Sequence, residues 1–235
     1  MTPETVAVIL AAGAGERTAL GRPKAFISVG GRSILEHAVE GAAASPRVAS
    51  IVVAVPEGYE LETRDLVTWV SRPVVVVTGG DDRQASVRRA LGALPHESDS
   101  VICHDAARPF ATPRLFAAVL DALDEAEGAV PVLPVLDTVK RVREGYVSAT
   151  LPRDDLVLSQ TPQAFVTTAL MLAHERANEE EERSFTDDAA LMEWAGYRIR
   201  TVPGEPDNFK ITSTEDLARA ELSLAGWQRR GPGDG

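Results

Sequence analysis

The chain has almost no cysteine. Cys103 is the only one in 235 residues, so an intramolecular disulfide framework is excluded. Its apolar context, Val101-Ile102-Cys103, marks a buried structural thiol rather than a nucleophile. Histidine is nearly as scarce: His37, His96, His104 and His174 are scattered without metal-ligand spacing, which argues against zinc chemistry. Basic residues are outnumbered, 24 Lys+Arg against 35 Asp+Glu for a net charge of -11, so a general nucleic-acid-binding surface is disfavoured. Long hydrophobic runs are missing too. Stretches such as Ala129 to Leu136 contain prolines and stop short of the ~20 apolar residues that a membrane-spanning helix needs. The first apolar run, Thr5 to Ala12, has no basic flank and no cleavage signal. The expectation is a soluble, cytoplasmic protein without nucleic-acid or membrane partners. There is no G-x-S-x-G elbow and no Cys/His pair for acyl transfer.

What is present is ordinary globular material, 44% hydrophobic and 25% charged, enough for a core. The length suits one domain, residues 1–227, with a flexible tail over 228–235 that ends Gly231-Pro-Gly-Asp-Gly. Short β-branched runs, Val6 to Leu10, Ile51 to Val55, Val74 to Val77, Val101 to Cys103 and Val130 to Leu133, read as strands buried on both faces. Between them Ile34 to Ala44, Leu61 to Val70, Ser86 to Leu94 and Leu115 to Ala126 carry helical apolar spacing. Ser33 with Glu36 forms a capping-box pattern, and Thr112-Pro113 places a cap before a first-turn proline. Such alternation predicts an α/β fold, a three-layer α/β/α arrangement with a mostly parallel sheet. The rhythm breaks at Asp137 to Pro152, where Lys140, Arg141, Arg143, Glu144 and Gly145 punctuate a strand-turn-strand pattern. This predicts a protruding β-hairpin arm spanning 137–155, which cannot build its own core and needs a partner such as a second copy of the chain. Helical spacing returns over Thr167 to Glu180, Asp187 to Ala195 and Thr214 to Leu224.

Ligands of open α/β sheets bind beyond the carboxyl ends of the strands, and four loops there are chemically unusual. Leu10 to Lys24 carries Gly13 and Gly15, which let main-chain N–H groups approach phosphates. It also carries Arg17 and Lys24, two cations able to close around a triphosphate. The dinucleotide fingerprint would place a third glycine where Thr18 stands, and no Walker-type G-x-x-x-x-G-K-[ST] exists. Thr78-Gly-Gly-Asp-Asp-Arg-Gln-Ala-Ser86 sets Asp81, Arg83 and Ser86 ahead of a helix, with Ser86 either a ligand group or a cap. His104-Asp-Ala-Ala-Arg-Pro109 puts a carboxylate and a guanidinium straight after an apolar strand; Asp105 can hold a divalent cation or a ribose hydroxyl, or simply pair with Arg108. Asp207-Asn-Phe-Lys210 offers a second carboxylate for Mg2+ and a phosphate clamp, since Mg2+ takes one or two carboxylates plus phosphate oxygens.

These motifs in this order, Ala11-Ala-Gly-Ala-Gly-x-Arg17 with Pro23-Lys24, Gly79-Gly-Asp with Ser86, His104 to Pro109, Asp137-Thr138, Thr161-Pro-Gln163 and Asp207 to Lys210, resemble the 2-C-methyl-D-erythritol 4-phosphate cytidylyltransferase family over nearly the whole chain. The resemblance implies a glycosyltransferase-A-like nucleotidyltransferase fold and transfer of CMP from CTP to the 4-phosphate of methylerythritol phosphate, in the non-mevalonate route to isoprenoids. It implies that Arg17 and Lys24 stabilise the transition state. Ala11, Ala12, Gly13, Ala14, Gly15, Gly80, Asp81 and Ser86 would hold the cytidine nucleotide, and Asp105, Ala106, Arg108 and Thr138 would surround the acceptor and nucleotide. Arg153, from the other subunit of a homodimer joined by the arm, and Lys210 would position the acceptor phosphate. Asp105 and Asp207 would lie nearest a magnesium ion. Glu16 and Thr18 depart from the common pattern. Ribitol 5-phosphate is the alternative acceptor, a dinucleotide-binding reductase is disfavoured by Thr18, and a silent nucleotide-binding module would have no need for Arg17, Lys24 and Lys210 together.

Overall fold

The structure, a computed structural model, describes residues 4–13, 21–95, 97–179 and 184–230, with 225–230 by main chain alone. Its elements are β1 (Thr5–Leu10), β2 (Ser28–Val29), β3 (Arg32–Ser33), α1 (Ile34–Ala44), β4 (Val48–Val55), α2 (Glu60–Leu66), β5 (Val74–Thr78) and α3 (Arg83–Leu91). Then follow β6 (Ser100–Asp105), α4 (Pro113–Asp121), β7 (Gly128–Pro134), β8 (Val139–Arg143), β9 (Tyr146–Leu151), β10 (Val157–Ser159), β11 (Gln163–Val166), α5 (Thr167–Glu179), α6 (Asp188–Trp194), β12 (Ile199–Pro203) and α7 (Thr214–Arg230). The last helix thus includes residues 228–230, which composition assigns to a tail; its preceding turns supply the hydrogen-bonded frame on which those residues continue.

Eight strands form one sheet in the order β10-β7-β11-β6-β1-β4-β5, with β12 alongside β7. β4, β5 and β6 run parallel to their neighbours around β1, whereas β11 enters antiparallel between β6 and β7, and β10 pairs antiparallel with β7. Alternation along each buried strand sorts its side chains into two cores. Ala7 and Ile9 of β1 join Leu35, Val39, Phe116 and Val119 from α1 and α4 on one face, while Val6 and Val8 join Val87, Leu170 and Met192 from α3, α5 and α6 on the other. Burial on both faces is why these strands read as unbroken apolar runs. Two helix starts fall as their sequences specify: Ser33 and Glu36 form the reciprocal capping box of α1, and the Thr112 side chain accepts from Leu115 N ahead of Pro113.

The order reverses at β1, whose sheet neighbours are β4 on one side and β6 on the other. A crevice therefore opens beyond their carboxyl ends, where the connections leave in opposite directions. Between β7 and β10, β8 and β9 make a separate two-stranded ribbon closed by Glu144 and Gly145 at φ values of 49° and 82°. Two consecutive positive φ values suit the two-residue turn that matches strand twist. Among the described residues no helix is long and apolar enough to cross a membrane.

Candidate active site

The crevice at the β1/β6 switch is a cleft of about 240 Å3 lined by Leu10 to Gly13, Lys24, Ala25, Arg83, Ser86, Asp105 to Ala107 and Lys210 to Thr212. Ala11, Ala12 and Gly13 continue β1, and the Ala11 N–H is held by Ala54 C=O at 2.8 Å, so the strand's direction is carried into the loop. Ala14, Gly15 and Arg17 lie outside the described residues, as do Glu16 and Thr18.

The paired glycines after β5 are needed for space. A Cβ on Gly79 would collide with Ala12 Cβ, and one on Gly80 with Ala85. Ser86 sits in the first turn of α3, and its hydroxyl accepts from Gly80 N at 3.0 Å and donates to Asp82 C=O at 2.8 Å. The cap is Asp82, whose carboxylate accepts from Ala85 N, because the extended backbone at Asp82 starts the helix one turn earlier than the apolar spacing indicates. Asp81 is exposed in that turn.

Asp105 ends β6 and pairs with two cations, Arg83 Nε to Oδ1 at 3.0 Å and Lys210 Nζ to Oδ2 at 2.7 Å. Burial opposes its ionisation, but the Arg83 and Lys210 charges prevail and hold the carboxyl well below the usual range. The Asp105–Arg108 pair open from sequence does not form. Arg108 instead donates to Asn208 C=O at 2.9 Å and Ser159 C=O at 3.2 Å, since the tight turn after β6 carries its side chain across the strand ends.

His104 fixes this turn. Its Nε2 donates to Arg108 C=O at 3.0 Å, so its Nδ1 accepts from the Thr161 hydroxyl at 3.0 Å, and Thr161 in turn accepts from Asp105 N. That chain of bonds requires neutral imidazole, and complete burial lowers the His104 pKa to about 4. The Thr161-Pro-Gln163 motif, with a cis Thr161–Pro162 bond, thus serves as the brace of the Asp105 main chain.

Lys210 is aimed by its neighbours. Fully buried Asn208 donates to Thr161 C=O at 2.8 Å, and Ile211 N donates to Ala107 C=O at 2.8 Å, pinning the segment on both sides of the lysine. Lys24, from the short 3-10 turn after Pro23, donates to Thr212 C=O at 2.8 Å. Lys24, Ser86, Asp105, Ala106 and Lys210 are therefore gathered in the cleft with Ala11 to Gly13. Asp207 is exposed in the turn before Asn208, while Thr138 and Arg153 stand exposed at the base of the arm, and none of the three lines the cleft. Arg153 bonds Leu136 C=O. No cluster of three or more His, Cys, Asp or Glu able to hold a metal occurs among the described residues.

Sequence reasoning placed Arg83 only in a helix-leading loop and passed over Asp188. Arg83 nevertheless lines the cleft, and its Nη1 lies 2.8 Å from the buried Asp188 at the start of α6. The available signal was Arg83's position just after the glycine pair; Asp188 carried none, being one acid of many.

Comparison with known proteins accords with this geometry. The family model described as 2-C-methyl-D-erythritol 4-phosphate cytidylyltransferase matches residues 5–226. The protein of that name from Deinococcus radiodurans is 44% identical over 94% of this chain and 89% of its own length. A bifunctional enzyme IspD/IspF from Nitrobacter winogradskyi is 43% identical over 94% of this chain and 56% of its own, so the chain spans about half the length of such relatives. The crystal structure of 4-diphosphocytidyl-2C-methyl-D-erythritol synthase from Anaerococcus prevotii superimposes with a TM-score of 0.85 at 30% identity, covering 95% of this chain and 97% of that one. The cytidylyltransferase from Thermus thermophilus gives 0.75 at 36% identity over 94% and 98%. On the family match, the identities and the shared architecture, this chain belongs to the 2-C-methyl-D-erythritol 4-phosphate cytidylyltransferase family.

Proposed function

We propose that this chain transfers CMP from CTP to 2-C-methyl-D-erythritol 4-phosphate, giving 4-diphosphocytidyl-2-C-methyl-D-erythritol and pyrophosphate. The observation that carries the reading is the convergence of Lys24, Asp105 and Lys210 with the Ala11–Gly13 main chain at the β1/β6 switch point. An oxygen of the acceptor phosphate attacks the α-phosphorus of CTP. The bond from that phosphorus to the bridging oxygen breaks, and pyrophosphate leaves with the electron pair. A phosphate monoester is a nucleophile at neutral pH, so no general base is required. Catalysis is the positioning of two polyanions and the neutralisation of charge.

The glycine-bearing loops seat the nucleotide, Ser86 holding the Gly80 main chain that faces the base. Lys24, held among the described residues by a neutral carbonyl, exchanges that partner for a phosphate oxygen at little cost, and Arg17 acts with it. Lys210 presents its ammonium to the acceptor phosphate. Asp105, whose two oxygens are paired with Arg83 and Lys210, would offer magnesium a remaining carboxylate lone pair, the other ligands being phosphate oxygens and water. Asp207, outside the cleft lining, is not included in that donor set. The ion, when bound with CTP, neutralises charge on the phosphates.

The same reading includes a cytoplasmic homodimer. Six of the eleven exposed large apolar side chains among the described residues fall between Leu136 and Leu158, on and beside the arm. Such a patch favours an apolar partner, here a second copy, with Arg153 of the partner subunit completing the acceptor site. The test is magnesium-dependent pyrophosphate release from CTP, with methylerythritol 4-phosphate and ribitol 5-phosphate offered separately and ATP, GTP and UTP as controls. Release with CTP and methylerythritol phosphate alone is expected. Release only with ribitol 5-phosphate would replace the acceptor, and no release with any pair would overturn the reading.

A further inference from the structure

Behind the cleft four charged side chains alternate in a row: Lys210, Asp105, Arg83 and Asp188. The separations are 2.7 Å, 3.0 Å and 2.8 Å. Side-chain exposure runs 44%, 12%, 22% and 2%, so the row has a loose end at the cleft and a fixed end in the core. The fixed end is the first residue of α6, whose cap, Asp187, accepts from Ala190 N at 2.9 Å. Arginine ordinarily grips a carboxylate with two parallel N–H bonds. Here Arg83 gives Asp105 only Nε, because Nη1 is drawn to Asp188 on the other side. Arg83 Nη2 and Asp188 Oδ2 are both buried without a hydrogen-bond partner among the described residues, so the Arg83–Asp188 contact is a close ion pair and the two carboxylates flank the guanidinium. The end-on contact leaves Asp105 Oδ2 for Lys210. Without Asp188 the row would carry two cations against one carboxylate, and Arg83 would lose its buried counter-charge.

We propose that Asp188 is a positioning residue for the acceptor half of the reaction: by holding Arg83 end-on, it keeps Asp105 Oδ2 available to Lys210 and so sets where the Lys210 ammonium meets the acceptor phosphate. This rests on the acceptor role of Lys210 given above. Steady-state kinetics of the full chain test it. In Asp188→Asn the KM for methylerythritol phosphate rises about tenfold while that for CTP stays within about twofold. Asp188→Glu, which restores the charge, recovers most of the loss. Adding Asp188→Asn to Lys210→Ala raises the acceptor KM by no more than about twofold over Lys210→Ala alone, because the two act through one contact. Equal shifts in both KM values, an unchanged acceptor KM, or full additivity would overturn the proposal. If Asp188→Asn does not fold, the Arg83→Met/Asp188→Leu chain removes the pair without stranding a charge; Asp105 Oδ2 then has no competitor for Lys210, so the acceptor KM stays within about twofold of the parent, and a tenfold rise would overturn the proposal. Should Lys210→Ala itself leave the acceptor KM and turnover unchanged, the role of Lys210 fails, and this proposal with it. A Lys210→Ala effect without an Asp188→Asn effect sinks this proposal alone.

Discussion

The cleft and the arm both carry charged side chains at a carboxyl end of the fold, yet they are built in opposite ways. In the cleft Asp105, Arg83 and Lys210 are matched to one another inside one chain, and the strands beneath them are fully buried. In the arm, Tyr146 is 79% exposed and Val147 63%, and the hairpin is held by its own ladder, its turn and contacts such as Lys140 Nζ to Thr150 Oγ1 at 2.7 Å. A two-stranded ribbon is marginal in water by itself. The contrast teaches that the cleft is preorganised by tertiary burial, whereas the arm buries little against its own chain.

The largest effect expected from breaking this contrast is at Lys24. Its resting partner among the described residues is a single carbonyl, so Lys24→Ala leaves thermal unfolding unchanged while turnover in the pyrophosphate-release assay falls on the order of 10²–10³-fold. Turnover near that of the parent would remove Lys24 from the mechanism. The arm is the next place to press. For the proposed homodimer, Tyr146→Asp/Val147→Asp should give a monomer by light scattering at micromolar concentration, with the melting of the main sheet intact and activity reduced through loss of the proposed contribution of Arg153 of the partner subunit. A parent chain that is monomeric and fully active would refute the difference drawn between the two regions.

A smaller effect belongs to the cleft wall. Gly79→Ala forces a methyl group against Ala12, at a cost of about 1–3 kcal/mol in urea unfolding and with a raised KM for CTP. The smallest is remote from both. His174 is buried with neither ring nitrogen hydrogen-bonded among the described residues, and burial pushes its pKa down, Arg88 and Arg83 adding to this and Asp188 opposing it. The unfolded chain takes up a proton near pH ~6.5 while the native chain resists it until lower pH. Native stability is therefore lost as pH falls below that value. His174→Leu removes this slope, so its melting temperature relative to the parent should rise between pH 7 and pH 5; a constant difference would show that His174 does not titrate on unfolding.

Much of this was legible in the residues. The runs Val6 to Leu10 and Val101 to Cys103 could hardly be anything but strands buried on both faces, and Ser33 with Glu36 announced α1 to the residue. The glycine pair, Lys24, Asp105 and Lys210 declared themselves by chemistry at strand ends. α7 runs to Arg230, past Leu224 where the apolar spacing ends, because its preceding turns supply the hydrogen-bonded frame. α3 starts at Arg83 and not at Ser86 because Asp82 competes with Ser86 as a cap, and only the backbone conformation at Asp82 settles it.

By itself, then, the sequence determined the layer architecture, the family and the set of chemical groups, because periodicity and short motifs depend on neighbours along the chain. Tertiary structure alone decided which of those groups meet. The antiparallel entry of β11, the brace from Thr161 through His104, the placement of Asp207 outside the cleft and the Arg83–Asp188 pair all join residues far apart in the chain. Which carboxylate captures a buried cation is set by distance and desolvation in the folded state, and neither quantity is written in local sequence.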